Sequence, residues 1–247
     1  MKHIKIRSSL LLALISLVFT HCSSQQKPKI QAGLTDSGYI YKTASADGIG
    51  KWYHGREIAH VMGAAGSEWL ERQERNEEEN TNLAISKIQV PVNATLADIG
   101  AGTGYYSFRL AAKVPRGRVY AVEIQQELIE MLQQKKAALK DSIVHVIQGN
   151  VKAPNLPDQS VDLALMVDVY HELEFPKEML QALKSALKPG GKILLIEYRG
   201  EDPKVPIKAL HKTTVAQLEK EFNANGYKLA YRGDFLPIQY FLLFERQ

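Results

Sequence analysis

Three glycines at every second position, Gly100, Gly102 and Gly104, follow directly on the apolar run Leu96-Ala97-Asp98-Ile99. A segment of helical pattern from Tyr106 to Lys113 comes next. Strand, glycine turn and helix together make a nucleotide site: residues without a Cβ let the backbone bend sharply and approach a ligand. The helix beyond offers unpaired N–H groups to an anionic part of that ligand. Asp98, at the strand's end, can accept a hydrogen bond from a ligand ammonium. The third glycine falls one place too early for the dinucleotide fingerprint G-x-G-x-x-G, whose last position here is Tyr105. Two further strand ends carry reactive groups. Glu123, nineteen positions after Gly104, ends an apolar strand where a carboxylate accepts both hydroxyls of a ribose. Asp168-Val169-Tyr170-His171-Glu172 ends another. His171 is a candidate general base because its ordinary pKa lies near neutrality, with Asp168 and Tyr170 as positioning groups; a histidine merely satisfied by backbone fits the same pattern.

The elements that must hold these groups alternate regularly. Apolar runs Arg118 to Val122, Val144 to Gln148, Val161 to Val167 and Ile193 to Glu197 read as strands. Gln125 to Lys140, Phe175 to Leu187 and Val215 to Asn225 read as helices, the first with Leu128, Ile129, Leu132 and Leu139 inward. Such alternation predicts a parallel sheet with right-handed crossovers. The last two runs, Tyr227 to Gly233 and Gln239 to Phe244, are joined too closely to be parallel and predict an antiparallel pair. The expected fold is α/β: a doubly wound, mostly parallel seven-stranded sheet with an antiparallel C-terminal hairpin and an N-terminal helical extension.

Asp98-Ile-Gly-Ala-Gly-Thr-Gly resembles the first motif of the class I S-adenosylmethionine-dependent methyltransferases. Asp168-Val-Tyr-His-Glu resembles their fourth motif, and Lys188-Pro-Gly-Gly resembles the turn before their fifth strand. These matches cover roughly residues 90 to 200. The resemblance implies methyl transfer from S-adenosylmethionine held by Asp98, Gly100, Ala101, Gly102, Gly104, Glu123, Ile124, Asn150, Val151 and Asp168. Gln125 and Val151 are expected to wall the adenine. The family usually has an acid where this chain has Asn150, whose amide carbonyl can also accept from the adenine amino group. N-terminal helices in this family often close the site, which would bring Arg72 or Arg75 to the methionine carboxylate or to an acidic substrate; a solvated face explains the charges of residues 68–79 equally. The proline-bearing loop after the fifth strand offers Tyr198, Arg199 and His211 as acceptor contacts; a solvated connector explains the same loop.

The sequence divides into a signal peptide (1–21), a tether (22–45), a helical cap (46–90) and the methyltransferase-like domain (91–247). Lys2, Lys5 and Arg7 precede the apolar run Leu10 to Phe19, too short to span a bilayer and suited to a signal-peptide core. Cys22, the chain's one cysteine, stands where bacterial lipoproteins are acylated, although His21 replaces their usual small residue. That resemblance implies an exported envelope protein anchored to the membrane by lipid. Of the formal +4 charge, those three basic residues account for most, so the remainder has no basic footprint for nucleic acid. No metal-ligand spacing is found among the histidines and the cysteine, and the expected partner is a small-molecule acceptor. Two other readings stand beside methyl transfer. A nicotinamide-dependent oxidoreductase is opposed by the early third glycine and the antiparallel ending. A catalytically silent envelope binding protein would escape the need to deliver a cytoplasmic cofactor outside.

Overall fold

The computed structural model describes residues 38–247; the expected signal peptide, Cys22 and most of the tether lie outside the described residues. The chain begins with β1 (Tyr39–Tyr41), β2 (Gly48–Tyr53) and β3 (Arg56–Ala59), an antiparallel meander. Short helices α1 (Ser67–Leu70), α2 (Arg75–Glu79) and α3 (Thr81–Lys87) follow. Then come β4 (Thr95–Ile99), α4 (Tyr105–Ala111), β5 (Arg118–Glu123), α5 (Gln126–Leu139), β6 (Val144–Gln148) and β7 (Val161–Val167). The chain closes with α6 (Pro176–Ala186), β8 (Leu187–Tyr198), α7 (Val215–Ala224), β9 (Tyr227–Gly233) and β10 (Gln239–Arg246).

Seven strands form one sheet in the order β6-β5-β4-β7-β8-β10-β9. Neighbours from β6 to β8 are parallel, and β10 runs antiparallel to both β8 and β9. The expected seven-stranded, mostly parallel sheet with its antiparallel C-terminal pair is therefore the observed one, and the N-terminal extension departs from expectation. After β4 the chain turns one way to β5 and β6, then returns to lay β7 on the other side of β4. This reversal opens a crevice at the carboxyl ends of β4 and β7, where ligands of such sheets bind. Both faces are covered. Leu180 and Leu183 of α6 with Leu218 and Phe222 of α7 pack one face; Ala84 of α3, Leu110 of α4 and Leu132 of α5 pack the other. Leu139, expected inward, is 57% exposed; it is the last residue of α5, before left-handed Lys140.

The helical cap requires correction. Trp52 and Ile58 fall within the 46–90 segment expected to be helical, but residues 48–59 form the hairpin β2–β3. His54 and Gly55 join it, with φ of 49° and 101°, and Tyr53 pairs with Arg56 across them. A two-residue turn with positive φ at both positions matches strand twist and selects a hairpin over a helix. Helices begin only after residue 63. The small sheet buries Tyr39, Tyr53 and Ile58 together and is locked to the large one by ionic contacts. Arg56 donates to Glu221 of α7 through Nε and Nη2, at 2.9 and 3.0 Å, and to the His171 carbonyl at 3.0 Å. Among the described residues, no helix is long and apolar enough to cross a membrane.

Candidate active site

A cavity of about 600 Å³ lies over the crevice. Its floor is the glycine turn. Gly100, Gly102 and Gly104 all have positive φ, at 70°, 55° and 78°. A Cβ on Gly100 would stand 2.7 Å from a Val169 methyl, and one on Gly102 2.7 Å from Leu70 Cδ1. Val169 thus packs against the turn at Gly100, and Leu70 of α1 roofs it at Gly102. Gly100 and Ala101 both donate their N–H to the Val122 carbonyl at 2.9 Å, which ties the turn to β5.

Glu123, buried at the end of β5, lines the cavity. Its Oε2 accepts from the Gly102 N–H at 2.9 Å, and its Oε1 from Ile124 and Gln125 N–H groups at 2.7 and 3.0 Å. Carboxylate oxygens carry more lone pairs than these bonds use, so the group is fixed in direction yet able to accept more. The Gln125 amide reaches across to the Met62 carbonyl at 3.0 Å, joining this side of the site to the N-terminal segment. Val151 and Ile124 also line the cavity. Asn150 does too, but its Oδ1 already accepts from the Lys152 and Ala153 N–H groups at 2.9 and 3.0 Å; the amide carbonyl expected to be open to adenine is engaged in its own turn.

Asp168 ends the β7 side at a positive φ of 54°. Its Oδ2 accepts from Gln239 Nε2 at 2.7 Å, while its buried Oδ1 has no partner. Burial, then the charges of Glu79 and Glu197, push this carboxyl well above the usual carboxylate range, against the pull of Arg75. A cation or donor placed at Oδ1 would offset that cost of burial. Arg75 reaches the same cavity and is held by Glu79 Oε2 at 2.9 Å and the Leu70 carbonyl at 2.8 Å. Glu79, fully buried, also accepts from Arg72 at 2.6 Å and the Tyr198 hydroxyl at 2.8 Å.

The third group is histidine-rich. His171 Nδ1 is 2.7 Å from Glu197 Oε2, and Glu197 Oε1 accepts from the Tyr170 N–H at 2.7 Å. The opposite ring nitrogen, Nε2, is 3.2 Å from His211 Nδ1. Glu172 Oε1 completes a triangle, 3.3 Å from His211 Nδ1 and 3.8 Å from His171 Nε2. All three side chains line the cavity.

The cavity therefore unites Gly100, Gly102, Glu123, Ile124, Asn150, Val151, Asp168, His171, Arg75, Tyr198 and His211 of the expected residues. Several others stand apart. Asp98 faces away from it, accepting from Ser107 Oγ of α4 at 2.6 Å; burial raises its pKa to about 6 despite that bond. Gly104 shapes the turn, since its added Cβ would strike Phe108 and Leu132 rather than a ligand; Ala101 packs into the core beside α4. Tyr170 is wholly buried, donating to Glu221 at 2.9 Å, so it braces α7 instead of facing the reaction. Arg199 donates to the carbonyls of Gln239, Asp234 and Leu236, stapling the C-terminal hairpin rather than an acceptor. Arg72 stacks on Trp69 and pairs with Glu78 and Glu79. Glu197, Glu172 and Leu70 are site residues that the sequence reading passed over. An acid closing the apolar run of β8, as Glu123 closes β5, was the readable sign for Glu197; Leu70 carried none.

The fold and this cavity define a Rossmann-like sheet of the methyltransferase type. Residues 97–195 match the family described as "Methyltransferase domain". The demethylmenaquinone methyltransferase of Chlamydia trachomatis is 26% identical over 140 residues, 55% of this chain and 60% of that protein. The malonyl-[acyl-carrier protein] O-methyltransferase of Methylococcus capsulatus is 25% identical over 149 residues, 56% and 53% of the two chains. The chain thus spans little more than half the length of these curated relatives. A SAM-dependent methyltransferase from Aquifex aeolicus superposes with a TM-score of 0.70 at 21% identity, over 74% of this chain and 98% of the other. The domain match and the shared fold imply S-adenosylmethionine as cofactor.

Proposed function

We propose that the chain transfers the methyl group of S-adenosylmethionine to a small, largely apolar acceptor. The observation that carries this reading is the pairing, in one cavity, of a carboxylate pinned to a bare glycine turn with a second carboxyl whose buried oxygen lacks a partner. The ligand carries a ribose, an ammonium, a carboxylate and a sulfonium. Glu123 receives the ribose hydroxyls, Ile124 and Val151 flank the adenine, Asp168 Oδ1 accepts from the ammonium, and Arg75 faces the carboxylate. When bound, the cofactor supplies an activated methyl on a sulfonium. What the chain adds is alignment, since holding the acceptor behind that carbon replaces a bimolecular encounter by effective molarity. Where the accepting atom carries a proton, His171 removes it, its ring held by Glu197 as an orienting carboxylate. Apolar lining from Val61, Met62, Trp69, Leu173, Met179 and Ile207 supports an acceptor with more hydrocarbon than charge. The finer reading is that the protein works at the bacterial envelope, tethered through an acylated Cys22; mass spectrometry of membrane-purified protein tests this by showing, or failing to show, a lipid on that residue.

Calorimetric titration with S-adenosylmethionine, its demethylated product and NADH tests the main reading. Binding of the first two and not the third is expected; binding of NADH alone overturns it. Glu123→Ala should weaken cofactor binding by roughly 1–3 kcal/mol through loss of hydrogen bonds to a buried carboxylate.

A further inference from the structure

We propose that His171, Glu172 and His211 form a binding site for a divalent transition ion of the zinc class on the acceptor side of the cavity. The three donor atoms come from two turns, one after β7 and one after β8, and stand 3.2, 3.3 and 3.8 Å apart. In a tetrahedral site with bonds of about 2.0–2.1 Å, ligand atoms stand about 3.4 Å from one another. The triangle already has the edges such an ion requires.

The surroundings prepare the donors as well as the distances do. Glu197 Oε2 accepts from the Nδ1–H of His171 at 2.7 Å, which directs the Nε2 lone pair toward His211 and Glu172. A carboxylate behind a ligating histidine is the usual means of fixing its tautomer and raising its basicity. Glu197 is itself fixed by the Val169 and Tyr170 N–H groups at 3.2 and 2.7 Å, and the His171 carbonyl is held by Arg56. Arg56, which holds the His171 carbonyl, is itself paired with Glu221, and Lys208, next to the turn that carries His211, is paired with Asp47. Two histidines and one glutamate leave a fourth position for water or an acceptor oxygen or sulfur, the pattern of a catalytic rather than a structural ion. A hydroxyl or thiol bound there ionises more readily than in water, and His171 then serves as ligand instead of base. Ion binding stands independently of the methyl-transfer reading; only this last role rests on it.

Metal-stripped, untagged full-length protein titrated with Co²⁺ should develop intense visible bands of tetrahedral type, saturating at about one equivalent and displaced by Zn²⁺. His211→Ala and Glu172→Gln should each weaken Co²⁺ binding by about tenfold or more, and Glu197→Gln by about 10- to 100-fold. His145→Ala, on β6 and away from the cavity, should leave the titration unchanged. His211 and Glu172 lie at the cavity wall rather than in the core, and circular dichroism of each variant checks that it folds. Absence of the bands, or a His211→Ala protein that binds Co²⁺ as tightly as the native chain, overturns the site. Cofactor binding with no Co²⁺ binding removes the ion alone; Co²⁺ binding with no cofactor binding removes the methyl-transfer reading alone.

Discussion

The two halves of the cavity are built by opposite means. The glycine-turn half is made chiefly of backbone, within one stretch from β4 to the end of β5: Gly100 and Ala101 bond to Val122, and Gly102 bonds to Glu123. The histidine half is made of side chains drawn from β3, β8, α7 and the turns at residues 170–172 and 209–211, joined through Arg56, Glu221, His171, Glu197 and His211. The first depends on the absence of side chains and the second on a chain of buried charges. A backbone-built half can be lost by adding one carbon, whereas a charge-built half is lost by removing one partner.

Substitutions separate these two dependences. Arg56→Ala leaves Glu221 buried without its partner, and breaking such a pair costs about 3–5 kcal/mol. The expected result is a large fall in denaturation midpoint and in turnover, with cofactor affinity per folded molecule little changed; equal loss of affinity would show that the halves are not independent. Gly102→Val brings a branched side chain to a position with φ of 55° beneath Leu70. Strain of about 1–3 kcal/mol from the dihedral alone, with the blocked floor, should weaken cofactor binding about 100-fold while thermal unfolding shifts far less than in the Arg56 variant. Asp98→Asn gives the smallest effect and isolates the layer under the turn. Burial raises the Asp98 pKa to about 6, above the ordinary value near 4. The folded protein therefore binds a proton that the unfolded chain releases, and stability falls as pH rises from about 4 to 6. The variant should flatten that slope, by on the order of 2 kcal/mol, when urea midpoints of the two proteins are compared across this range.

What could be read from sequence follows the same division. Asp98 to Gly104 and Glu123 lie within one β–α–β unit, so local pattern specifies both the turn and the carboxylate facing it. The seven-stranded sheet was legible for the same reason, as each strand and helix announces its own period. His171 and His211 are separated by 40 positions, and no local spacing reports that two turns at neighbouring strand ends bring their rings together. Asp98 and Tyr170 sit at strand ends that do carry the site, yet point into the core. Sequence marks the end of a strand but not the direction of its last side chain. The hairpin of residues 48–59 was missed because Trp52, Ile58, Val61 and Met62 satisfy a broken helical spacing, while the deciding signal was the pair His54-Gly55.

Leu70 lies 2.7 Å from where a Cβ on Gly102 would be, and α1 is fastened to the turn by Glu71, which accepts from Thr103 Oγ1 and from Lys135 Nζ at 2.7 Å each. Anything seated on the glycines therefore has a lid that belongs to a different stretch of chain from its floor. On the proposed reading, departure of a spent nucleoside needs that lid to lift, which means parting these rim contacts and the Arg75 bond to the Leu70 carbonyl, and no part of the sheet. Residence time is then governed at the periphery, by a four-residue helix, while affinity is governed by the backbone beneath it.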